Sequence, residues 1–138
     1  MSAKVIEGVA PRVAPKLTAI SSDFWNGGKD GVLRVLRDSK SGRYIHPFDE
    51  HYEGTPESDP ATLSGKGTVF SFTVNHQPYH PKVPVPYVIA LVQLAEQEDL
   101  RLFTNIVNCD PENVRIGMPV QVVFERNNGI FFPLFEPA

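Results

Sequence analysis

The sequence predicts a mainly β protein in which a small barrel follows a short helix and a hairpin. Two observations carry this prediction. The 138 residues include 13 prolines and ten glycines, and this composition favours turns and short strands over long helices. After Gly65, apolar residues alternate with polar ones in several short runs, which is the pattern of strands that bury one face. The length allows one compact domain with an extension.

The first segment, residues 1–21, is predicted to be an extended arm. Pro11 and Pro15 prevent a continuous helix there, because proline lacks the backbone N–H that a helix interior needs. An arm of this kind has no core of its own, so it suits wrapping around a partner.

Residues 22–64 are predicted to begin with a short helix. Ser21-Ser22-Asp23 offers an N-cap, and Gly27-Gly28 is expected to stop the helix shortly after Phe24 and Trp25.

The rest of this segment is predicted to hold one hairpin and a linker. Strands are expected at 33–36 and 43–46, on either side of a turn at 38–42. Residues 47–64 contain three prolines and several acids, which indicates an ordered loop or linker that leads to the barrel.

Residues 65–138 are predicted to form the barrel itself. Its strand-forming runs are 70–74, 88–94, 100–106, 120–124 and 130–134. We expect the nearly all-apolar second run to be buried on both faces, and Pro133 indicates that the last strand lies at an edge. A helical turn capped by Asp110 separates the third and fourth strands, and Asn127-Asn128-Gly129 favours a hairpin turn. Five strands with this turn are the layout of an OB-fold barrel.

Composition disfavours several classes of function. The net charge is −3, and residues 65–138 hold five Lys and Arg against seven Asp and Glu, so no nucleic-acid surface is expected. Cys109 is the only cysteine, which rules out a disulfide within the chain and a cysteine zinc cluster. A reduced, cytoplasmic setting is predicted. No run approaches the roughly 20 apolar residues of a membrane span, so no membrane association is expected.

Five segments of the barrel, taken in order, resemble a known family. These segments are 65–74, 86–94, 102–107, 116–122 and 133–137. They are similar to the OB-fold of a widespread family, formerly described as a domain of unknown function, in which a rubredoxin-like zinc ribbon precedes an acyl-CoA-associated barrel. The family also has a helix with a Phe-Trp pair, which Phe24-Trp25 matches, so the resemblance covers residues 22–138.

The chain departs from this family at the zinc knuckle. The family pattern is Arg-Cys-x-x-Cys-Gly, and here the segment is Arg37-Asp38-Ser39-Lys40-Ser41-Gly42. Asp38 and Ser41 stand where the thiolates would be, and the second cysteine pair is missing. Ribbon zinc requires four fixed, soft ligands. We therefore predict a degenerate, zinc-free ribbon that is held by packing and by its partner.

The resemblance implies a non-catalytic role. Members of the family accompany thiolase-fold enzymes, 3-hydroxy-3-methylglutaryl-CoA synthase, steroid side-chain aldolases and hydratases, where they bridge subunits and shape the acyl-CoA passage. The expectation is therefore an accessory subunit of a thiolase-like or other acyl-CoA enzyme, in a hetero-oligomer. It would have no catalytic residue and no stably bound cofactor, and a coenzyme A thioester would be a ligand shared with the partner.

Aromatic residues supply the candidate partner-binding surface. They are Phe24, Trp25, Phe131, Phe132 and Phe135. Because neighbouring strand residues point to opposite faces, either Phe131 or Phe132 is expected to lie outside the barrel core. That side chain would be an exposed anchor for a partner, or it would join a second small core with the N-terminal unit.

Three cations are candidates for binding coenzyme A. Lys66, Arg101 and Arg115 could meet its phosphates as point charges, and the alternative is that they are solubilising surface charges.

Two other functions stay open at this stage. An OB barrel can bind single-stranded nucleic acid through stacking aromatics. The chain could also be a small acyl-CoA hydratase that uses His76 or His80 as its base, although surface histidines are the simpler interpretation of these two residues.

Overall fold

Nine strands and one α-helix make up the part of the chain that this computed structural model describes, residues 3–8, 10–49 and 57–138. In chain order the elements are β1 (Val5–Glu7), α1 (Ser22–Gly27), β2 (Leu33–Asp38), β3 (Tyr44–Ile45), β4 (Ser58–Leu63), β5 (Lys66–Asn75), β6 (Tyr87–Leu94), β7 (Arg101–Ile106), β8 (Pro119–Asn127) and β9 (Ile130–Pro137), with 3-10 turns at Gly28–Asp30 and Pro111–Asn113. No helix in these described ranges has the length and apolar character of a membrane span.

Strands β5 to β9 close into a barrel. β5 pairs with β6 and β8, β6 pairs with β7, and β9 pairs with both β7 and β8. The interior is filled by buried apolar side chains from all five strands, among them Val69, Val92, Leu102, Phe124 and Phe135. The predicted OB-fold class is therefore confirmed.

The last strand does not lie at an edge, so that prediction is wrong. β9 closes the barrel between β7 and β8, and Pro133 stands opposite Phe124 in the ladder with β8. The Pro133 carbonyl accepts a hydrogen bond of 2.9 Å from the Thr104 hydroxyl. At Pro133 a side chain of β7 thus makes the contact between the two strands, since the ladder between β7 and β9 is formed at Ile106 opposite Phe135.

The alternation along the first two barrel strands also differs from the prediction. In β5 the register shifts between Val69 and Ser71, so Phe70 forms a bulge and turns outward, while Phe72 packs against the core. A bulge adds one unpaired residue and reverses the alternation beyond it. In β6 every second residue is buried and the residues between, such as Leu91, are half-buried, so the strand has one fully buried face.

The helix begins as predicted and continues one turn further. It starts at Ser22, runs through Gly27, and the following 3-10 turn ends at Gly31 with φ 70°. A Cβ atom on Gly28 would collide with Cβ of Phe131. Glycine therefore serves close packing between helix and barrel at this position, and Gly31 supplies the left-handed turn that ends the segment.

A third strand stands where only a linker was predicted. The hairpin of β2 and β3 is present, but β4 also pairs with β2, from Leu33 opposite Leu63 to Asp38 opposite Ser58. The sheet order is β3–β2–β4, so Pro60 lies on an edge strand, where a missing N–H is tolerated.

The arm lies on the chain's own barrel. β1 pairs in parallel with β8, and three ion pairs follow the arm across the barrel. They are Lys4 with Glu136 at 2.9 Å, Glu7 with Arg126, and Arg12 with Glu125. The described part of the arm thus packs against this chain's own barrel.

Candidate functional site

An aromatic cluster fills the junction between the helix and the last barrel strand. The Trp25 ring lies 5.0 Å from Phe24 and 5.5 Å from Phe132, centroid to centroid and edge to face, and 5.8 Å from Phe48 at a tilt. Such ring pairs add stabilisation beyond the area they bury. The helix is therefore held on the barrel by its own Phe-Trp pair.

The structure places four of the five aromatic candidates at this junction and the fifth, Phe135, inside the barrel. Phe24 and Phe135 are buried, and Phe131 and Phe132 are half-buried on opposite sides of β9. Phe131 packs against the hydrophobic core beside Gly28, and Phe132 packs on Trp25. The arrangement matches the second small core with the N-terminal unit, one of the two alternatives that the sequence left open.

Beside the cluster a cleft of about 240 Å³ opens to the surface. Trp25, Phe48, Phe103 and Phe132 contribute to its walls. The Arg12 guanidinium lies over the Phe132 ring, 5.4 Å from its centroid. Nε1 of Trp25 is buried and has no hydrogen-bond partner among the described residues.

A broad surface adjoins this cleft on the outside of the barrel. We call it the outer face, and it consists of the outward-pointing residues of β5, β6 and β7, chiefly Phe70, Ser71, Ile89, Leu91, Arg101 and Phe103. Ser71, Leu91 and Phe103 stand side by side across the three strands. Phe103 is 79% exposed and Phe70 is 44% exposed. Exposed aromatics on a sheet face are typical of a surface that binds another molecule.

Arg101 is held in place on this face. Its guanidinium carbon lies 3.9 Å from the centroid of the Phe70 ring, the geometry of a strong cation–π contact. Its Nε lies 3.5 Å from Oε1 of Gln93, and Nε2 of His46 lies 2.8 Å from its carbonyl oxygen. The bulge at Phe70 thus provides the ring on which Arg101 rests.

The three candidate cations for coenzyme A stand apart. Lys66 and Arg101 lie on β5 and β7, which are separated by β6, so their backbones are about 10 Å apart across the sheet. Arg115 lies in the loop between β7 and β8, where its guanidinium donates to the carbonyls of Glu112 and Val114 at 2.6 and 2.9 Å. Lys66 borders a cleft of about 530 Å³ between the small sheet and the barrel. Binding of coenzyme A by these residues stays a prediction.

The ribbon hairpin does not have the donors of a zinc ribbon. Oδ1 of Asp38 accepts hydrogen bonds from the backbone N–H groups of Lys40, at 2.8 Å, and Ser41, at 3.3 Å. A carboxylate engaged in closing the turn and a serine hydroxyl do not fit zinc held by thiolates. Within the described ranges, no three His, Cys, Asp or Glu side chains form a group that could hold a metal ion.

The residues of the hydratase alternative lie in a loop. His76 and His80 are exposed between β5 and β6, and Nδ1 of His80 accepts from the backbone N–H of Lys82 at 3.1 Å. Cys109 is half-buried, with its sulfur 3.4 Å from the carbonyl oxygen of Asp110.

A polar network fastens the start of the arm. Glu136 accepts hydrogen bonds from Lys4 at 2.9 Å, Gln121 at 3.0 Å and Asn108 at 2.7 Å. The Lys4 ammonium, with help from the amide of Gln121, lowers the pKa of Glu136 from 4.5 to about 2. The carboxylate therefore stays charged at every pH at which the protein would normally be handled.

Sequence reasoning missed Phe103, Phe70 and Phe48. A signal for Phe103 exists in the sequence, because the inward residues of β7 are Leu102, Thr104 and Ile106, which leaves a phenylalanine on the outside. Phe70 could not be assigned without the bulge, and Phe48 lies in the stretch interpreted as a linker.

Comparison with known proteins identifies relatives of the whole chain and of its barrel. The family model of the ChsH2 C-terminal OB-fold domain matches residues 61–125. The "3-oxo-4,17-pregnadiene-20-carboxyl-CoA hydratase alpha subunit" of Mycobacterium tuberculosis is 36% identical over 113 residues, which are 80% of this chain and 35% of that protein. A "DUF35 domain-containing scaffold protein" of Methanocaldococcus jannaschii is 44% identical over 71 residues, 51% of this chain and 49% of that protein. The chain spans between 35% and 49% of the length of the curated relatives it matches.

A solved structure matches nearly the full chain. It is described as "Ltp2-ChsH2(DUF35) aldolase", and one of its chains superposes with a TM-score of 0.76 at 32% identity. The match covers 91% of this chain and 99% of that one, so the resemblance seen in the sequence is confirmed. Because it matches a relative along almost that relative's whole length, the chain belongs to the DUF35 family of OB-fold proteins.

Proposed function

We propose that this chain is a non-catalytic accessory subunit of a CoA-thioester enzyme. It would bind and stabilise a thiolase-like subunit, as in a steroid side-chain aldolase, and would help to form the passage for acyl-CoA. The single observation that carries the proposal is the match along 99% of one chain of the solved Ltp2-ChsH2(DUF35) aldolase.

The names of other relatives support this role. One is the alpha subunit of a hydratase for a steroid carboxyl-CoA, and another is described as a scaffold protein. Like the aldolase with two named components, both descriptions fit a component that works with other polypeptides. We therefore assign a CoA thioester of a steroid or other lipid-derived acid as the substrate class of the assembled enzyme.

The surface of the chain supports the same role. A barrel with a closed ladder has few free strand edges, so the barrel presents to a partner chiefly the side chains on its faces. The outer face offers Phe103 at 79% exposure, and buried aromatics at an interface contribute a large share of binding energy.

Co-expression with a thiolase-fold acyl-CoA enzyme subunit from the same genome tests the proposal. We expect one heteromer of fixed stoichiometry in size-exclusion chromatography with light scattering, and a higher melting temperature of the enzyme subunit than when it is made alone. A chain that stays monomeric and binds no such subunit would contradict the proposal.

The same preparation tests the hydratase alternative, for which the name of the Mycobacterium tuberculosis relative is the specific observation. If the isolated chain hydrates an enoyl-CoA thioester, and His76→Ala or His80→Ala abolishes the turnover, then the chain is an enzyme and the accessory role is wrong.

A further inference from the structure

The three strands of the outer face differ in charge from the rest of the chain. The full sequence has 16 Asp and Glu against 13 Lys and Arg. β5, β6 and β7 together contain Lys66 and Arg101 and no acidic residue. Arg101 is the charged residue among those named for the outer face, whereas Lys66 lies at the end of β5 beside Glu96 and Glu98 of the loop between β6 and β7.

The same face is apolar at its centre and ordered. Phe103 stands beside the half-buried Leu91, and Arg101 lies on the Phe70 ring at 3.9 Å. A guanidinium stacked on a ring loses less side-chain freedom when it pairs with a carboxylate than a free lysine does. The β-bulge that presents Phe70 is the kind of irregularity that re-aims a side chain at a functional surface.

Resting on the proposed function, we propose that the outer face docks on an apolar patch of the acyl-CoA enzyme subunit that is bordered by Asp and Glu side chains. Phe103 enters the apolar patch, and Arg101 pairs with a carboxylate at its border. Opposite charges around an apolar centre fix the orientation of two proteins and raise their rate of association.

The charge pattern favours a protein partner over single-stranded nucleic acid. A nucleic-acid groove follows the phosphates with a row of cations, whereas Arg101 is the charged residue among those named for this face. One guanidinium suits a carboxylate at the edge of a protein patch, and it neutralises little of a phosphate backbone.

Two variants of the full chain test the inference, with the co-expressed thiolase-fold subunit as the binding probe. Phe103→Ser is expected to weaken the heteromer by about tenfold or more. Arg101→Glu is expected to weaken it by about tenfold and to remove the decrease in affinity that the wild type shows between 0.05 and 0.5 M salt, a range of roughly 14 to 4 Å in Debye length. Affinity is measured by isothermal titration calorimetry, and the urea midpoint of each variant checks its fold.

The matched controls lie elsewhere on the surface. Ile116→Ser removes an apolar side chain that is 71% exposed in the loop before β8, and Lys82→Glu reverses an exposed charge in the loop between β5 and β6. Both are expected to bind as the wild type does.

The outcomes separate the inference from the proposed function. If the wild-type chain forms no heteromer at all, the accessory role fails and the inference fails with it. A heteromer that forms equally well with Phe103→Ser and Arg101→Glu overturns the inference alone. Binding of a fluorescent dT15 oligonucleotide to the wild type at low salt, lost in Phe103→Ser, would also overturn it, because the face would then serve nucleic acid.

Discussion

The barrel and the N-terminal unit are stabilised in different ways. The N-terminal unit consists of residues 22–49 and 57–64. The barrel closes a ladder of five strands around its own interior. The N-terminal unit has a three-stranded sheet and a helix of six residues, too little to enclose a core. Four of its buried apolar residues belong to the same hydrophobic cluster as the barrel interior, and they are Phe24, Leu33, Val35 and Leu63.

The difference indicates how a small unit without a core of its own can be stabilised. A zinc ribbon is stabilised by its ion, and the turn of this hairpin has Asp38 and Ser41 in the corresponding positions. Here the sheet and helix gain stability by covering the barrel, with Trp25 and Phe132 as the main contact. A unit stabilised in this way should not persist when the barrel unfolds.

The largest expected effect comes from the barrel. Phe124→Ala removes a fully buried side chain and should lower the free energy of unfolding by about 3–5 kcal/mol. Because both regions share one cluster, we expect a single unfolding transition in urea. The fluorescence of Trp25, the only tryptophan, reports the N-terminal unit, and circular dichroism reports the barrel. A fluorescence transition that Phe124→Ala leaves in place would show that the N-terminal unit is independent.

A smaller effect is expected at the contact between the two regions. Gly28→Ala places a methyl group against Phe131 and should cost about 1–3 kcal/mol through overpacking. We expect the helix to shift away from the barrel and the emission of Trp25 to move to longer wavelength. Lys29→Ala, an exposed neighbour in the same 3-10 turn, is the control and should change stability by less than about 0.5 kcal/mol. An unchanged spectrum in Gly28→Ala would contradict the close packing.

The smallest effect concerns the arm and depends on pH. The pKa of Glu136 is lowered from 4.5 to about 2 in the folded chain, chiefly by its hydrogen bond with Lys4. Its contribution to stability is therefore complete above about pH 4.5 and is lost as the pH falls toward 2. Glu136→Gln should lower stability by less than about 1 kcal/mol at pH 7, and its difference from the wild type should shrink across that window. Urea titrations of both proteins at pH 7, 4 and 2.5 measure this difference in the free energy of unfolding. If the difference is the same at all three pH values, the charge of Glu136 is not its cause.

The barrel was predictable from the sequence because its signals are local. Alternating runs mark strands, Asp110 caps the short turn before β8, where it accepts from the backbone N–H of Glu112, and Asn128-Gly129 forms the hairpin turn with positive φ at both residues. Each of these features depends on a few neighbouring residues. The assembly of the five strands then follows from the need to protect their edges.

The small sheet and the outer face were not predictable in the same way. β4 has no periodic pattern of its own and carries Pro60, so only its pairing with β2 makes it a strand. The outward position of Phe70 next to an inward Phe72 depends on a bulge, which the alternation of apolar residues in the sequence does not reveal. Trp25 and Phe132 are more than a hundred positions apart. The sequence shows that both rings are present, but it does not show that they are in contact.

The bulge in β5 has one more consequence. Val69 before it and Phe72 after it both point into the barrel. Phe70 is thus the extra residue of the bulge, and the strand keeps its inward alternation on both sides of it. Because the side chain of Phe70 points away from the barrel interior, a residue of different size or polarity at this position does not change the packing of the core. Mutations at this position can therefore accumulate during evolution without unfolding the barrel, and they offer a route by which a DUF35 protein could adapt to a new companion enzyme.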